Sequence, residues 1–293
     1  MNKKTVARII AIANQKGGVG KTTTTISLGA ALADLGRRVL LVDLDSQQSL
    51  CSALNIPKPK PGLADVLFSM VLFDRAQLSD VLVDSGKMTV AGGYGLATAE
   101  SQLSDCENSS AALKQALAPQ LSLFDFVLLD CGPSIDFLTT SGLVAAEEVL
   151  VPVQTEFLAL EMLPAIMSTV QDIRTRLNPN LRVSGFVPTM YDRRTRHSLT
   201  VLEDIAVQAN RYRVPAFKPI PRTTRIAEAA ATGRPIAQYD PKSPAAHAYK
   251  ALATEIDMRS KPEDTMVAPT ASLRPLEHTN NLSCHPPRTA ALA

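Results

Sequence analysis

Cysteine and histidine are scarce. The 293 residues carry four of each, with cysteines at Cys51, Cys106, Cys131 and Cys284. No two cysteines form a C-x-x-C pair and the histidines are scattered, which argues against a disulfide framework or a zinc site and fits a reducing cytoplasm. An excess of one charge is also missing. The net charge is only +2 with a pI near 8.3, so the chain is no polycation, and any nucleic-acid site must be local. No apolar run reaches the roughly 18 to 20 residues a membrane span needs. The start, "MNKKTVARIIAIA", has the lysines and apolar run of a signal peptide, but the run is short and leads into a glycine loop in place of a cleavage site, so it reads as a first strand.

What is present is a regular alternation. Short continuous apolar runs occur at 8–13, 38–43, 126–130, 149–153 and 183–187, the pattern of strands buried on both faces. Helical stretches at 22–35, 138–147, 158–177, 197–210 and 244–257 lie between and after them. The expected fold is α/β: a single doubly wound, mostly parallel sheet with helices on both faces. Residues 55–122, which include "NIPKPKPG", are the least legible part. The expected domain spans 1–258, and the Pro-, Thr-, Ser- and Asn-rich segment 259–293 is expected to be a disordered tail.

The first strand runs into "QKGGVGKT" and then a Thr-rich helix start. Strand, glycine loop and helix N-terminus together suit phosphate, because glycines let backbone N–H groups close around it and the helix dipole favours negative charge. Gly17, Gly18, Val19 and Gly20 form this cradle. Lys21 is placed to reach the β and γ phosphates of ATP, Thr22 to ligate Mg²⁺, and Thr23 to contact a phosphate closer to the base. The pattern G-x-x-x-x-G-K-[ST] asks for glycine at position 15, where this chain has Gln15, and a second lysine, Lys16, stands in the loop.

"KGGVGKTT" resembles the deviant Walker A motif of the ParA/MinD ATPase family. The resemblance implies that Lys16 crosses to the nucleotide of a partner subunit in an ATP-dependent homodimer, and that Gly17 stays small where two loops meet. Two strand ends add carboxylates. In "LLVDLDSQQS", Asp43 and Asp45 are two apart and expected on one side; by resemblance Asp45 positions the attacking water and Asp43 supports the metal region. In "FVLLDCGPS", Asp130 occupies the Walker B position for Mg²⁺, Gly132 stands where the family usually has proline, and Cys131 reads as a small buried residue.

The segments "VPVQTEFLALEML", "TMYDRRTRHSLTVLEDI", "IPRTTRIAEAAATGRPI" and "YDPKSPAAHAYKALATEI" look like partition ATPases of the Soj/ParA type, so the resemblance covers residues 7–258. It implies base contacts from Pro221 and Thr223, the latter standing where the family commonly has Asn. Residues 190–225 hold eight Lys and Arg against three acids. Such local charge suits the phosphate backbone of double-stranded DNA, with Arg193, Arg194, Arg196, Arg222 and Arg225 as candidate contacts, and sparse aromatics disfavour single-strand stacking. Only about seven residues precede the first strand, so no N-terminal helix-turn-helix, and hence no sequence-specific operator binding, is expected.

The function implied is an ATP hydrolase that binds DNA non-specifically as an ATP dimer, associates with the nucleoid, and is released when a ParB-like or other cargo adaptor stimulates hydrolysis. No membrane partner is expected. One alternative, a MinD-like membrane-surface ATPase, needs an amphipathic anchor that Pro275, Pro286 and Pro287 make hard to build in the tail. The other, a redox carrier like the nitrogenase iron protein, needs two suitably placed cysteines per chain.

Overall fold

The computed structural model describes residues 7–57, 61–106 and 109–259; the expected tail beyond Arg259 and its Cys284 lie outside the described residues. Seven strands form one sheet: β1 (Arg8–Ile12), β2 (Val39–Leu44), β3 (Leu82–Ser85), β4 (Met88–Ala91), β5 (Phe126–Cys131), β6 (Glu148–Gln154) and β7 (Arg182–Thr189). Their order is β3-β4-β2-β5-β1-β6-β7, all parallel except the β3–β4 hairpin at one edge. This is the doubly wound sheet expected from the alternating pattern.

The continuous apolar runs are explained by two separate cores. Ile9, Ala11, Leu40, Val42, Val127 and Leu129 face one side of the sheet. Their strand neighbours Ile10, Ile12, Leu41 and Leu128 face the other. The first core is covered by α3 (Leu63–Phe73), α4 (Leu96–Leu103), α5 (Ala112–Leu117), α6 (Phe137–Ala145), α8 (Leu163–Arg176) and α9 (Arg196–Tyr212). The second is covered chiefly by α1 (Lys21–Asp34) and α12 (Pro244–Met258). Short helices α2 (Ser49–Ala53), α7 (Phe157–Leu160), α10 (Arg225–Ala231) and α11 (Ile236–Tyr239) sit at the strand ends or between longer helices.

Two local results differ from the expected pattern. The helix expected over 158–177 is broken into α7 and α8, because Pro164 suits only the first turn of a new helix. The segment 55–122 holds the hairpin and three helices, where no regular structure was legible. Its hairpin signal is the two-residue Gly86-Lys87 connection, with Gly86 at φ 63°.

β7 carries an irregularity beside Leu150, opposite Gly185. Gly185 has φ +151°, and a Cβ there would meet Phe217 Cε2 at 2.6 Å and the Pro215 carbonyl oxygen at 2.7 Å. That backbone approach lets the 215–217 segment bond along β7 through Phe186 N to Pro215 O and Phe217 N to Phe186 O. Gly185→Ala is expected to cost about 1–3 kcal/mol by overpacking, read as a lowered midpoint in denaturant melts.

Candidate nucleotide site

Parallel strands place their carboxyl ends, and the loops that follow them, along one edge of the sheet. The loop after β1 enters α1 with Gly20 at the N-cap, φ 88°, and Gly18 at φ 73°. Gly20 has no side chain with which to cap α1, whereas Asp136, Thr195 and Ser243 cap α6, α9 and α12. The first N–H groups of α1 are therefore left for another acceptor, and an anion suits them.

The loop is pinned from several sides. Asn14 Nδ2 donates to Pro152 O at 2.7 Å while its Oδ1 accepts from Lys16 N at 3.0 Å. Gln15, in the place of the usual glycine, donates from Nε2 to Thr169 Oγ1 of α8 at 2.8 Å. The fully buried Val19 presents its carbonyl to Thr189 Oγ1 at 2.8 Å. Gln15 thus trades backbone freedom for an anchor on α8.

The two lysines separate. Lys21 is buried and its Nζ donates to Lys16 O at 3.1 Å. Burial lowers its pKa, against the opposing pull of Asp130, the Cys131 thiol and Asp45. Lys16 instead runs to Glu156 after β6, with Nζ 3.9 Å from Oε2. Around Gly17 and Gly18 the space is open, and a Cβ would meet nothing within 4 Å. Among the described residues nothing demands a small residue at Gly17.

Asp43 and Asp130 are register partners on β2 and β5, and both are fully buried. Burial, and secondarily Asp43, push Asp130 up to about 8. Thr25 Oγ1 donates to Asp130 Oδ1 at 3.0 Å, the Thr22 side chain also faces this carboxyl, and Oδ2 has no hydrogen-bond partner among the described residues. A buried carboxyl with an orphaned oxygen beside a threonine hydroxyl fits a divalent cation. Asp43 is pushed up to about 6, first by burial, although Cys51 N at 3.0 Å and Asp45 N at 3.3 Å donate to it. Its oxygens hold the turn after β2. Asp45 lies beyond the strand and is half-buried; it accepts from Gln47 N at 2.9 Å and is close enough to act on Lys21. The two aspartates expected on one side thus divide: Asp43 braces, while Asp45 faces the loop.

Thr22 and Thr23 border a small cavity of about 40 Å³ that continues to Ile226, Arg234 and Ile236. Pro221 and Thr223 do not line it. Pro221 lines a separate basic cleft, and Thr223 Oγ1 accepts from Arg225 N at 3.2 Å. Asn14, Thr25, Thr189 and Arg234 were not among the expected site residues; only their placement in space brings them there.

Of the candidate arginines, Arg193, Arg194 and Arg222 share that cleft, whereas Arg196 starts α9 and Arg225 pairs with Glu228 at 2.8 Å and Asp240 at 3.5 Å. Cys131 is buried, as expected, and burial pushes its thiol up. Among the described residues no group of three or more His, Cys, Asp or Glu could hold a metal, and no helix is long and apolar enough to cross a membrane.

The chain is similar to known proteins over most of its length. A family model described as an AAA domain matches residues 7–183. The sporulation initiation inhibitor protein Soj of Bacillus subtilis is 39% identical over 257 residues, covering 86% of this chain and 98% of Soj. The chromosome partitioning protein ParA of Caulobacter vibrioides is 38% identical over 268 residues, covering 89% and 98%. A crystal structure of cobyrinic acid a,c-diamide synthase from Mycobacterium smegmatis, with bound ADP and magnesium, superposes with a TM-score of 0.72 at 40% identity, covering 85% of this chain and 94% of that one. The uncapped phosphate loop with its second lysine, the buried aspartate at the end of β5 and these matches together show that the chain belongs to the ParA/MinD family of P-loop ATPases, alongside Soj and ParA.

Proposed function

We propose that this protein is a partition or positioning ATPase that dimerises on ATP, binds double-stranded DNA non-specifically as the dimer, and is released when an adaptor stimulates hydrolysis. The observation that carries the reading is the separation of the two lysines: Lys21 turns into its own loop, while Lys16 leaves towards Glu156 beside an exposed Gly17 with open space around it. A loop with one lysine inside and one outside suits an isologous dimer in which each chain lends a charge to the other. ATP supplies the phosphoanhydride to be broken, and Mg²⁺ neutralises charge on its phosphates.

This chain's residues then divide the work. Backbone N–H groups of residues 17–22 cradle phosphate, Lys21 neutralises charge, and Thr22 with Asp130 holds the cation. Asp45 orients a water, and Asp43 braces the turn carrying Asp45. Cargo transport follows if DNA favours the ATP dimer over the monomer, since a ligand shifts an equilibrium only through differential affinity. Nucleoid association rests on the same step.

The test compares the mass of the full chain with Mg-ATP, Mg-ADP and no nucleotide, with and without duplex DNA. The expected result is a dimer, and DNA capture, with ATP alone. A monomer in all three states would overturn the reading. Turnover that requires a carboxylate acceptor would favour amide synthesis, the chemistry in the name of the Mycobacterium smegmatis structure.

A further inference from the structure

We infer that the duplex-binding surface is one cleft, that it seats a single phosphodiester strand of the duplex, and that Lys218 and α12 contribute to it. This rests on the DNA reading above and narrows it to a place. The cleft measures about 750 Å³ and lies between the loop after β7, residues 218–222 and α12. Arg193, Arg194, Lys218 and Arg222 line it, all exposed. Asp192 is the one carboxylate among its lining residues, and it is already committed: Arg194 donates to it from Nε at 2.9 Å and Nη2 at 2.7 Å, holding the carboxyl well below its usual range. Arg193, Lys218 and Arg222 make no ion pair among the described residues.

Between these cations the cleft is lined by half-buried Pro219, Pro221 and Ala248. A nucleic-acid strand alternates an apolar sugar with an anionic phosphate, so an apolar lining flanked by free cations complements it in both respects. Lys218, and Ala251 on α12, belong to this wall though neither was legible as a contact. The cleft is also tied to the nucleotide site. Thr189 bonds the phosphate loop at Val19 O two residues before Tyr191 enters the cleft, and Tyr249 of α12 meets Thr24 of α1 at 3.3 Å, oxygen to oxygen.

The experiment measures binding of the full chain with Mg-ATP to a duplex of arbitrary sequence over a salt series. Lys218→Ala is expected to weaken binding about threefold and to reduce the slope of log K against log salt by about 0.9, the share of one neutralised phosphate. Ala251→Glu, which sets a negative charge on an exposed helix position without disturbing the core, is expected to weaken binding about tenfold or more. Arg211→Ala, in the same basic segment but outside the cleft, is expected to leave both quantities unchanged. Melting midpoints identify any variant that fails to fold. If wild type binds duplex while Lys218→Ala and Ala251→Glu bind equally well, the cleft assignment is wrong and the DNA reading survives. If wild type binds no duplex in any nucleotide state, the DNA reading fails and takes the cleft with it.

Discussion

Lys21→Met is expected to lower ATP turnover by about 10²–10³-fold, the usual effect of removing one group that stabilises developing charge, without lowering the thermal stability of the nucleotide-free protein. The two halves of this result have one cause. Lys21 is buried, its ammonium group makes a single hydrogen bond among the described residues, to Lys16 O, and burial lowers its pKa. A cation whose folded-state pKa lies below its ordinary 10.5 counts against the fold at neutral pH, and that cost fades as pH rises through the lowered value towards 10.5. Methionine fills similar space with no charge, so the nucleotide-free protein keeps its midpoint or gains a few degrees at pH 7. The checks are the steady-state rate at saturating Mg-ATP and a thermal melt without nucleotide. Full turnover, or a melting midpoint well below wild type, would show that the lysine is a structural prop.

Lys16→Ala is expected to leave ATP binding within a few-fold of wild type and to lower hydrolysis on the order of 10³-fold, the lower range for a cationic residue supplied in trans to a phosphoryl-transfer site. The same variant should need a higher protein concentration than wild type to dimerise with Mg-ATP. Among the described residues only the backbone of Lys16 bonds within the loop, its N–H to Asn14 and its carbonyl to Lys21, while its ammonium group pairs with Glu156 in a surface pair of small energetic weight. Its removal should therefore cost little in the isolated chain. A nucleotide-binding titration beside light scattering separates the two effects, and loss of ATP binding itself would move Lys16 into the cis site.

Much of this was legible in the sequence for identifiable reasons. Strands buried on both faces need apolar residues at every position, so β1, β2, β5, β6 and β7 stand out as continuous runs, and their carboxyl ends carry Asp43 and Asp130 by position alone. The phosphate loop is legible because only glycine makes such a turn cheaply, at Gly18 and Gly20.

The region 55–122 was not. β3 is a half-buried edge strand reading Leu-Val-Asp-Ser, with neither a continuous run nor a clean alternation. α3 reads Leu-Ala-Asp-Val-Leu-Phe-Ser-Met-Val-Leu-Phe, apolar around most of its circumference, so a helical period does not show. Within the site, the roles of Asp43 and Asp45 could not be separated by spacing. The distinction comes from Cys51 N, eight residues on, which returns to Asp43 only once α2 has formed. The basic segment likewise marked where charge lies and not its arrangement: Arg225 spends its charge on Glu228 and Asp240, and Lys218 joins the cleft.

The central claim, that Lys16 serves the partner's nucleotide, is tested most directly by mixing two inactive variants, Lys16→Ala and Asp45→Ala. In a mixed dimer, a lysine acting in trans gives one complete site: the Lys16→Ala chain keeps its own Asp45 and receives Lys16 from its partner. At equal concentrations high enough for both variants to dimerise, random pairing then restores about a quarter of the wild-type rate per chain, from two preparations that are each inactive. A lysine acting on its own chain's nucleotide leaves every site short of one group, and a mixture as inactive as its components would contradict the account.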